Sequence, residues 1–304
     1  MTKSTTNLLG IIITILAGAY FFVKYCSECR DGNVSVKDEI VTPPVPKPTS
    51  YPFTVSDGDF NLHTADNFNF KVSSATFLEP LSQQVRDSIV PGLKNFLTEN
   101  ENKVLNITGL YRQDDVNNTA FPDLGLARAN DVKNYFVSRG IPSAQINTGG
   151  KIMPEMVPNG DVFLGPVEYS IEVTAVDIEA EMKVLHERIT TDPLVLYFET
   201  AEATISLTEE QRQKFAEISR YLDKVENARC EITGYTDNEG GPETNIKLGQ
   251  ERADFAKAYI MSNGIPASKI KAESKGSADP VASNETEEGR AKNRRTVITI
   301  KNQP

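Results

Sequence analysis

The chain reads Gly234-Tyr235-Thr236-Asp237, then Asn245-x-x-Leu248-Gly249-x-x-Arg252-Ala253, and finally Asn284-x-Thr286-x-x-Gly289-Arg290-x-x-Asn293-Arg294-Arg295. The residues just before the first block, Arg229 to Thr233, are typical of a short strand. Pro242 then opens a predicted helix that ends before Gly264, because proline favours the first turn of a helix and glycine the position just past its end. The first two blocks therefore belong to a predicted strand, a polar loop and a long helix, in that order along the chain.

One row of this predicted helix, formed by Leu248, Arg252, Phe255 and Tyr259, places an arginine among apolar residues. Asn245, Leu248 and Arg252 are three and four residues apart, which places them on one side of the helix over two turns, roughly 10 Å along its axis. An arginine facing a sheet needs a partner, because an unpaired buried charge is costly. Asp237, at the end of the preceding strand, offers two arrangements. It either forms an internal ion pair with Arg252, or both charges face one cavity and hold the ammonium and the carboxylate of a ligand.

The three blocks resemble the OmpA-like peptidoglycan-binding domain, whose pattern is G-H-T-D-x-x-G, N-x-x-L-S-x-x-R-A and N-x-T-x-x-G-R-x-x-N-R-R. Tyr235 replaces the histidine of that pattern, and Gly249 replaces its serine. The resemblance implies that Asp237 and Arg252 hold the free amino-acid end of diaminopimelate in a peptidoglycan stem peptide. It implies further binding residues in the second and third blocks, which are Asn245, Leu248, Arg294 and Arg295. The alternative for the last two is a solvated cap on the final strand.

The composition favours an ordinary folded body. The chain has 304 residues, of which 39% are hydrophobic, and its formal net charge is −10. No long basic run is present to neutralise phosphates, so nucleic acid is not expected as a partner.

An apolar run without charged residues extends from Leu8 to Val23. It is slightly shorter than the roughly 20 residues that usually span a membrane. We predict an uncleaved inner-membrane anchor in residues 1–30, with the body in the periplasm. The alternative is a cleaved signal peptide, since Ala17-Gly18-Ala19 fits a cleavage site, with the exported protein associated with the outer membrane.

Residues 31–53 are polar and rich in proline, which predicts an extended spacer of up to roughly 60 Å. Cys26 and Cys29 precede it, and a disulfide between them is one option in an oxidising compartment. No second such pair exists to complete a zinc site, so no metal is predicted. Cys230 fits a small buried apolar residue.

The chain also contains an internal repeat with a period of about 124 residues. Leu124-Gly125-x-x-Arg128-Ala129 parallels Leu248-Gly249-x-x-Arg252-Ala253, and Asn106 to Tyr111 parallels Glu231 to Thr236. In this first copy Arg112 stands where Asp237 is expected, with Asp114 or Asp115 as substitutes, and the closing Asn-Arg-Arg is absent. The first copy is predicted to keep the fold without the ligand, as a spacer or as a contact for another envelope protein.

The predicted fold class is α+β, with two tandem OmpA-like β-α-β-α-β two-layer sandwiches at residues 54–177 and 193–304, joined by a helix at 178–192. The strands of the first copy are predicted at Phe68–Val72, Val104–Gly109, Gln145–Lys151 and Val167–Val176, and its helices at Leu81–Glu99 and Asp123–Arg139. Those of the second are predicted at Leu194–Phe198, Arg229–Thr233, Lys269–Ser274 and Arg295–Lys301, with helices from Thr208 to Asn227 and Pro242 to Asn263.

An enzyme is not predicted. The two histidines, His63 and His186, have no nucleophile or metal-ligand cluster at useful spacing, and no phosphate-binding glycine loop is present, so no cofactor is expected. A static tether between wall and membrane is favoured. The alternative function is a stator-like subunit of an energised envelope motor, which would carry a carboxylate in its membrane helix; the run Leu8–Val23 has none.

Overall fold

The computed structural model describes residues 14–24, 46–174, 178–197 and 206–302. The chain divides into two compact units, Met1–Pro46 and Lys47–Pro304. In the first unit, residues 14–24 form helix α1. Within the described ranges, no helix combines the length and the apolar character that crossing a membrane requires. The start of the predicted anchor, both of its cysteines and most of the proline-rich segment lie outside those ranges.

The second half of the folded body, residues 178–302, contains a four-stranded sheet. Its order is β10-β9-β11-β8, with β9 parallel to β10 and β11 antiparallel to both of its neighbours. The strands are β8 (Leu194–Tyr197), β9 (Ala228–Tyr235), β10 (Ile270–Gly276) and β11 (Arg295–Asn302). The helices are α4 (Ile178–Thr191), α5 (Glu209–Lys224), α6 (Pro242–Ser262) and α7 (Glu287–Asn293). Helix α6 provides the crossover that the parallel pair β9 and β10 needs.

Local sequence signals explain these boundaries. Helix α5 starts with the predicted capping box: Gln211 N–H donates to the Thr208 hydroxyl, and Thr208 N–H donates to the Gln211 side chain. Helix α6 starts at Pro242 and ends before Gly264, whose φ of +94° suits glycine. Sequence analysis missed α7, a short helix that Thr286 caps by accepting from Gly289 N–H.

The first half, residues 46–174, has a three-stranded sheet in the order β5-β4-β7. Strand β4 is parallel to β5 and antiparallel to β7, as β9 is to β10 and β11. The strands are β4 (Lys103–Tyr111), β5 (Ile146–Ile152) and β7 (Val167–Val173). The helices are α2 (Val90–Glu99), which follows a π-helical stretch Val85–Ile89, and α3 (Leu124–Ser138).

The first strand of this half, predicted at Phe68–Val72, is shorter than predicted and does not join the main sheet. Only Phe70–Lys71 (β3) is extended there, and it pairs with Val162–Phe163 (β6) in a separate two-stranded sheet. The preceding Asn67 explains this, because its side-chain amide donates to the carbonyls of Gly165 and Val167 and ties the chain down as a loop. A hairpin of β1 (Phe53–Asp57) and β2 (Phe60–Thr64), which was not predicted, lies beside β7.

The folded body also begins earlier than predicted. Thr49 N–H donates to Val157 O at 2.9 Å, and Tyr51 N–H donates to Leu164 O at 3.1 Å. These bonds tie residues assigned to the predicted spacer into the first half, so residues 49–53 belong to the folded body and not to that spacer.

The two halves pack through their helices. The ring of Phe121, just before α3, meets the ring of Phe215 on α5 at 5.1 Å, within one continuous apolar cluster. Lys133 Nζ of α3 lies 2.5 Å from Asp223 Oδ2 of α5, and Asn263 Oδ1 accepts from Ala120 N–H at 2.7 Å. Because apolar and charged contacts cross the same boundary, the halves form one body.

Candidate functional site

The predicted site residues gather at the carboxyl end of β9. Gly234 on that strand and Gly249 on α6 touch: a Cβ on Gly234 would stand 1.9 Å from Gly249 O. The helix therefore lies directly on the strand, which brings the α6 side chains one turn on either side of Gly249 to the strand end. Thr236 N–H donates to Gly276 O at 2.8 Å and fixes the backbone just before Asp237.

Asp237 is 8% exposed and has a partner on each carboxylate oxygen. Oδ1 accepts from Glu239 N–H at 3.1 Å, and Oδ2 pairs with Arg294 Nη1 at 3.0 Å. The internal ion pair that the sequence left open is therefore made with Arg294 rather than with Arg252. Asn245, which is 3% exposed, donates from its side-chain amide to Asp237 O at 3.4 Å, so the predicted asparagine also meets the site.

Arg252 reaches the same strand end from α6. Its Nη1 donates to Tyr235 O at 3.2 Å. Half-burial lowers the pKa of Arg252, while the charge of Asp237 acts to raise it and that of Arg294 to lower it. Among the described residues, Arg252 has no carboxylate within ion-pair distance, although Asp237 influences it. Leu248, one turn earlier on α6, is 39% exposed and remains available at the surface.

The structure separates the two terminal arginines. Arg294 points to Asp237, whereas Arg295 lies on the face of the sheet opposite the helices, with its guanidinium 3.9 Å from the centre of the Tyr235 ring. Arg295 also donates to Asp279 O at 2.9 Å, and burial lowers its pKa. Neither arginine is a solvated cap. Tyr235, which replaces the histidine of the family pattern, serves as the platform for Arg295.

The third sequence block builds the loop that delivers Arg294. Asn293 is fully buried; its Oδ1 accepts from Val281 N–H at 2.8 Å and from Ala282 N–H at 3.1 Å. Its amide donates to the Asn284 side chain at 2.8 Å. Gly289 admits no side chain, because a Cβ there would stand 1.8 Å from Ser283 O. The spacing of the residues in this block therefore matches the geometry of α7 and its loop.

Three charged residues near the site were missed by sequence analysis. Glu287 lies 2.6 Å from Arg294 and 2.7 Å from Arg290, and Arg290 lies 3.2 Å from Glu239. The available signal was the acidic pair Glu287-Glu288 followed within two turns by the basic residues Arg290, Lys292 and Arg294.

The first half contains a buried counterpart of this site. Arg128 Nη1 donates to Leu110 O at 2.6 Å, as Arg252 does to Tyr235 O. A Cβ on Gly109 would stand 2.0 Å from Gly125 O, which repeats the strand-to-helix glycine contact. Asp115 supplies the carboxylate, 3.6 Å from Arg128 Nη1.

Residues of the chain itself fill this counterpart. Ser73 N–H donates to Asp115 Oδ1 at 3.3 Å, and Arg128 Nε donates to Ser74 O at 2.9 Å. Asp114 does not take part, because it pairs with Arg112 at the surface. Burial lowers the pKa of Arg128 to about 10, against the effect of Asp115. The charges of this pair are therefore closed to solvent.

The second half of the chain is similar to known proteins. Residues 197–294 match the OmpA family. The chain is 39% identical over 83 residues to the probable lipoprotein YiaD of Escherichia coli, and 42% identical over 86 residues to the peptidoglycan-binding protein ArfA of Mycobacterium tuberculosis. Each match covers 27% of this chain, and they cover 38% and 26% of the two relatives, so the chain spans well under two thirds of either.

A solved structure also aligns with the chain. It is the peptidoglycan-associated lipoprotein from Burkholderia pseudomallei, at 27% identity and a TM-score of 0.31, covering 35% of this chain and 89% of that one. The family match confirms the OmpA-like domain predicted from the three sequence blocks.

Proposed function

We propose that the second half of the chain, which is an OmpA-like domain, binds peptidoglycan by holding the diaminopimelate of a stem peptide. One observation carries this proposal: Arg252 is charged and half-buried, and among the described residues it has no ion-pair partner. A buried guanidinium without an anion is unfavourable, so the site calls for a carboxylate from outside. The similarity to a relative named as a peptidoglycan-binding protein supports peptidoglycan as the polymer that is bound.

Diaminopimelate offers the two charges that the site needs. Its carboxylate accepts two hydrogen bonds from the Arg252 guanidinium, and its ammonium donates to Asp237. Charge-assisted bonds of this kind contribute about 1.5–3 kcal/mol each. Asn245, bonded to the backbone of Asp237, fixes the loop that presents the carboxylate. Leu248, exposed one turn from Arg252, adds apolar contact beside the charges.

The whole chain then acts as a non-catalytic tether in the cell envelope. The predicted anchor holds one end in the inner membrane, the proline-rich segment spans the distance to the wall, and the second half binds the peptidoglycan. The first half is a degenerate copy of the same domain: it shares the strand pairing and the glycine contact, and its own Ser73 and Ser74 take the place of a ligand. It serves as a rigid spacer packed on α5.

Co-sedimentation with purified sacculi tests the proposal. The compact unit, residues 47–304, should pellet with sacculi that contain diaminopimelate and much less with sacculi that contain lysine, which lacks the second carboxylate. Asp237→Ala or Arg252→Ala should weaken binding about 30- to 1000-fold, because each leaves the other charge and part of the ligand unpaired.

Two exposed positions supply matched controls. Asp254→Ala removes a carboxylate from the solvent side of α6, and Arg229→Ala removes an arginine from the far end of β9. Both should bind as the unmodified protein does, and circular dichroism should show that all four variants are folded. Full binding by both site variants would refute the site, and absence of binding by the unmodified protein would refute the function.

A further inference from the structure

A chain of alternating charges leads from the surface into the proposed binding site. Its members in order are Glu239, Arg290, Glu287, Arg294 and Asp237. The successive ion-pair distances are 3.2, 2.7, 2.6 and 3.0 Å. The outer carboxylates, Glu239 and Glu287, are 70% and 64% exposed, whereas the Asp237 side chain at the inner end is only 12% exposed. The site carboxylate is therefore the buried end of a network that begins in solvent.

An ammonium group that binds Asp237 competes with Arg294 for the same carboxylate. Oδ1 of Asp237 accepts from Glu239 N–H and Oδ2 pairs with Arg294, so an incoming ammonium shares the negative charge of this carboxylate with the arginine. Arg294 gives up part of that contact at low cost only if a second anion holds it. Glu287 is that anion, at 2.6 Å from Arg294 Nη2. Both carboxylates raise the pKa of Arg294, and Glu287 does so more than Asp237.

The position of Glu287 suits this task. It stands in the first turn of α7, where Thr286 caps the helix, and Arg290 holds its other carboxylate oxygen at 2.7 Å. The two arginines hold the pKa of Glu287 below its ordinary value, so the carboxylate is ionised at neutral pH. Glu288, the next residue, is equally exposed, and the described residues show no ion pair for it.

We propose that Glu287 is a positioning residue that shares Arg294 with Asp237, weakens the competition of Arg294 with an incoming ammonium group, and so sets the affinity of the site for that group. This role rests on the proposed function. Without Glu287, Asp237 becomes the sole close anion for Arg294, and the ligand ammonium competes less well.

Titration calorimetry of residues 47–304 with free meso-diaminopimelic acid tests this role. Glu287→Gln keeps the size of the side chain and removes its charge, and Glu288→Gln removes the same charge next to it. We expect Glu287→Gln to weaken binding about three- to five-fold and Glu288→Gln to leave it within about 1.5-fold, since exposed ion pairs contribute up to about 1 kcal/mol. In an Arg294→Ala background, Glu287→Gln should have no further effect.

A ligand without amino groups separates positioning from a general charge effect. Pimelic acid keeps the chain and both carboxylates of diaminopimelic acid, and in competition experiments its binding should respond equally to the two glutamine variants. Equal losses of diaminopimelic acid binding in the two variants would overturn the role, as would a loss that persists without Arg294. If the unmodified protein fails to bind diaminopimelic acid, both the proposed function and this role of Glu287 are refuted. If the unmodified protein binds it and Glu287→Gln binds it equally well, only the role of Glu287 is refuted.

Discussion

Arg128 Nη1 lies 3.6 Å from Asp115 Oδ2 inside the first half, and neither side chain is more than 1% exposed. The pair occupies the place that Arg252 and Asp237 hold in the second half, at the same end of the corresponding strand. The two arginines differ in what satisfies them. Arg128 donates to two carbonyls of its own chain and lies over the neighbouring rings of Phe70 and Phe163, whereas Arg252 donates to one carbonyl and keeps other donors available. The same strand-to-helix geometry is therefore closed by the chain itself in one half, and in the other it is the site proposed for a ligand.

This contrast predicts that substitution by methionine lowers stability at Arg128 and abolishes binding at Arg252. Arg128→Met should destabilise the protein by about 3–5 kcal/mol, because it leaves Asp115 as a buried charge without its partner, and it should leave binding to sacculi unchanged. Arg252→Met should cost less than about 1 kcal/mol of stability and abolish binding. Urea unfolding and co-sedimentation of both variants check this. Equal destabilisation by the two would contradict the assignment of Arg128 to structure.

Substitutions of the two terminal arginines, Arg294 and Arg295, should also have different effects. Arg295→Ala removes the stacking on Tyr235 and the bond to Asp279 O, so it should lower the free energy of unfolding by about 1–2 kcal/mol with little change in affinity. Arg294→Ala should raise the affinity for diaminopimelic acid, because Arg294 competes with the ligand ammonium for Asp237. Thermal unfolding and calorimetry measure the two effects. An affinity loss with Arg295→Ala as large as that with Asp237→Ala would place Arg295 in the binding site.

A pH-dependent prediction follows from Asp131 on α3. Its Oδ2 accepts from Phe77 N–H at 2.9 Å, but burial dominates and raises the pKa of Asp131 to about 6. The folded state thus holds this proton more tightly than the unfolded chain, whose aspartate pKa is about 3.9. Stability contributed by the protonated form is present below about pH 4 and is lost as the pH rises to about 6.

Asp131→Asn should therefore stabilise the protein at pH 7, by up to about 3 kcal/mol, and have little effect at pH 4. The asparagine oxygen still accepts from Phe77 N–H. Urea unfolding at the two pH values measures the difference, with the exposed Asp254→Asn as a control that should change neither value. An equal gain at both pH values would contradict the assignment of the effect to this carboxyl group.

Local signals explain how much of the second half was predictable. Pro242, Gly264 and the Thr208 capping box fixed two helices to within a few residues, because each acts through its own backbone neighbours. The ion pair of Asp237 was not predictable in the same way, since Arg294 is 57 residues away and reaches it only through α7. Helix α7 lacks an apolar period, which is why the pattern did not reveal it.

The strand predicted at the start of the first half was inaccurate for a different reason. Phe68 and Phe70 alternate as strand residues do, and both are fully buried, yet the segment around them is held mainly as a loop by Asn67. Burial there comes from packing against α3 and from the ring of Phe77, which lies 5.1 Å from that of Phe68. A short apolar alternation does not reveal whether its backbone pairs with a strand or with side-chain amides.

The segment between the predicted anchor and the folded body gives a prediction in cells. Weak contacts with a polymer of identical stem peptides become firm retention when the other end is fixed in a membrane, because the effective concentration at the wall is high. Thr49 already bonds to Val157, so the free spacer ends before it. Deleting residues 31–45 from the full-length protein should leave its affinity for diaminopimelic acid unchanged and reduce its cross-linking to the wall in cells. A Gly/Ser segment of equal length should restore much of the cross-linking. Undiminished cross-linking after the deletion would contradict the spacer role.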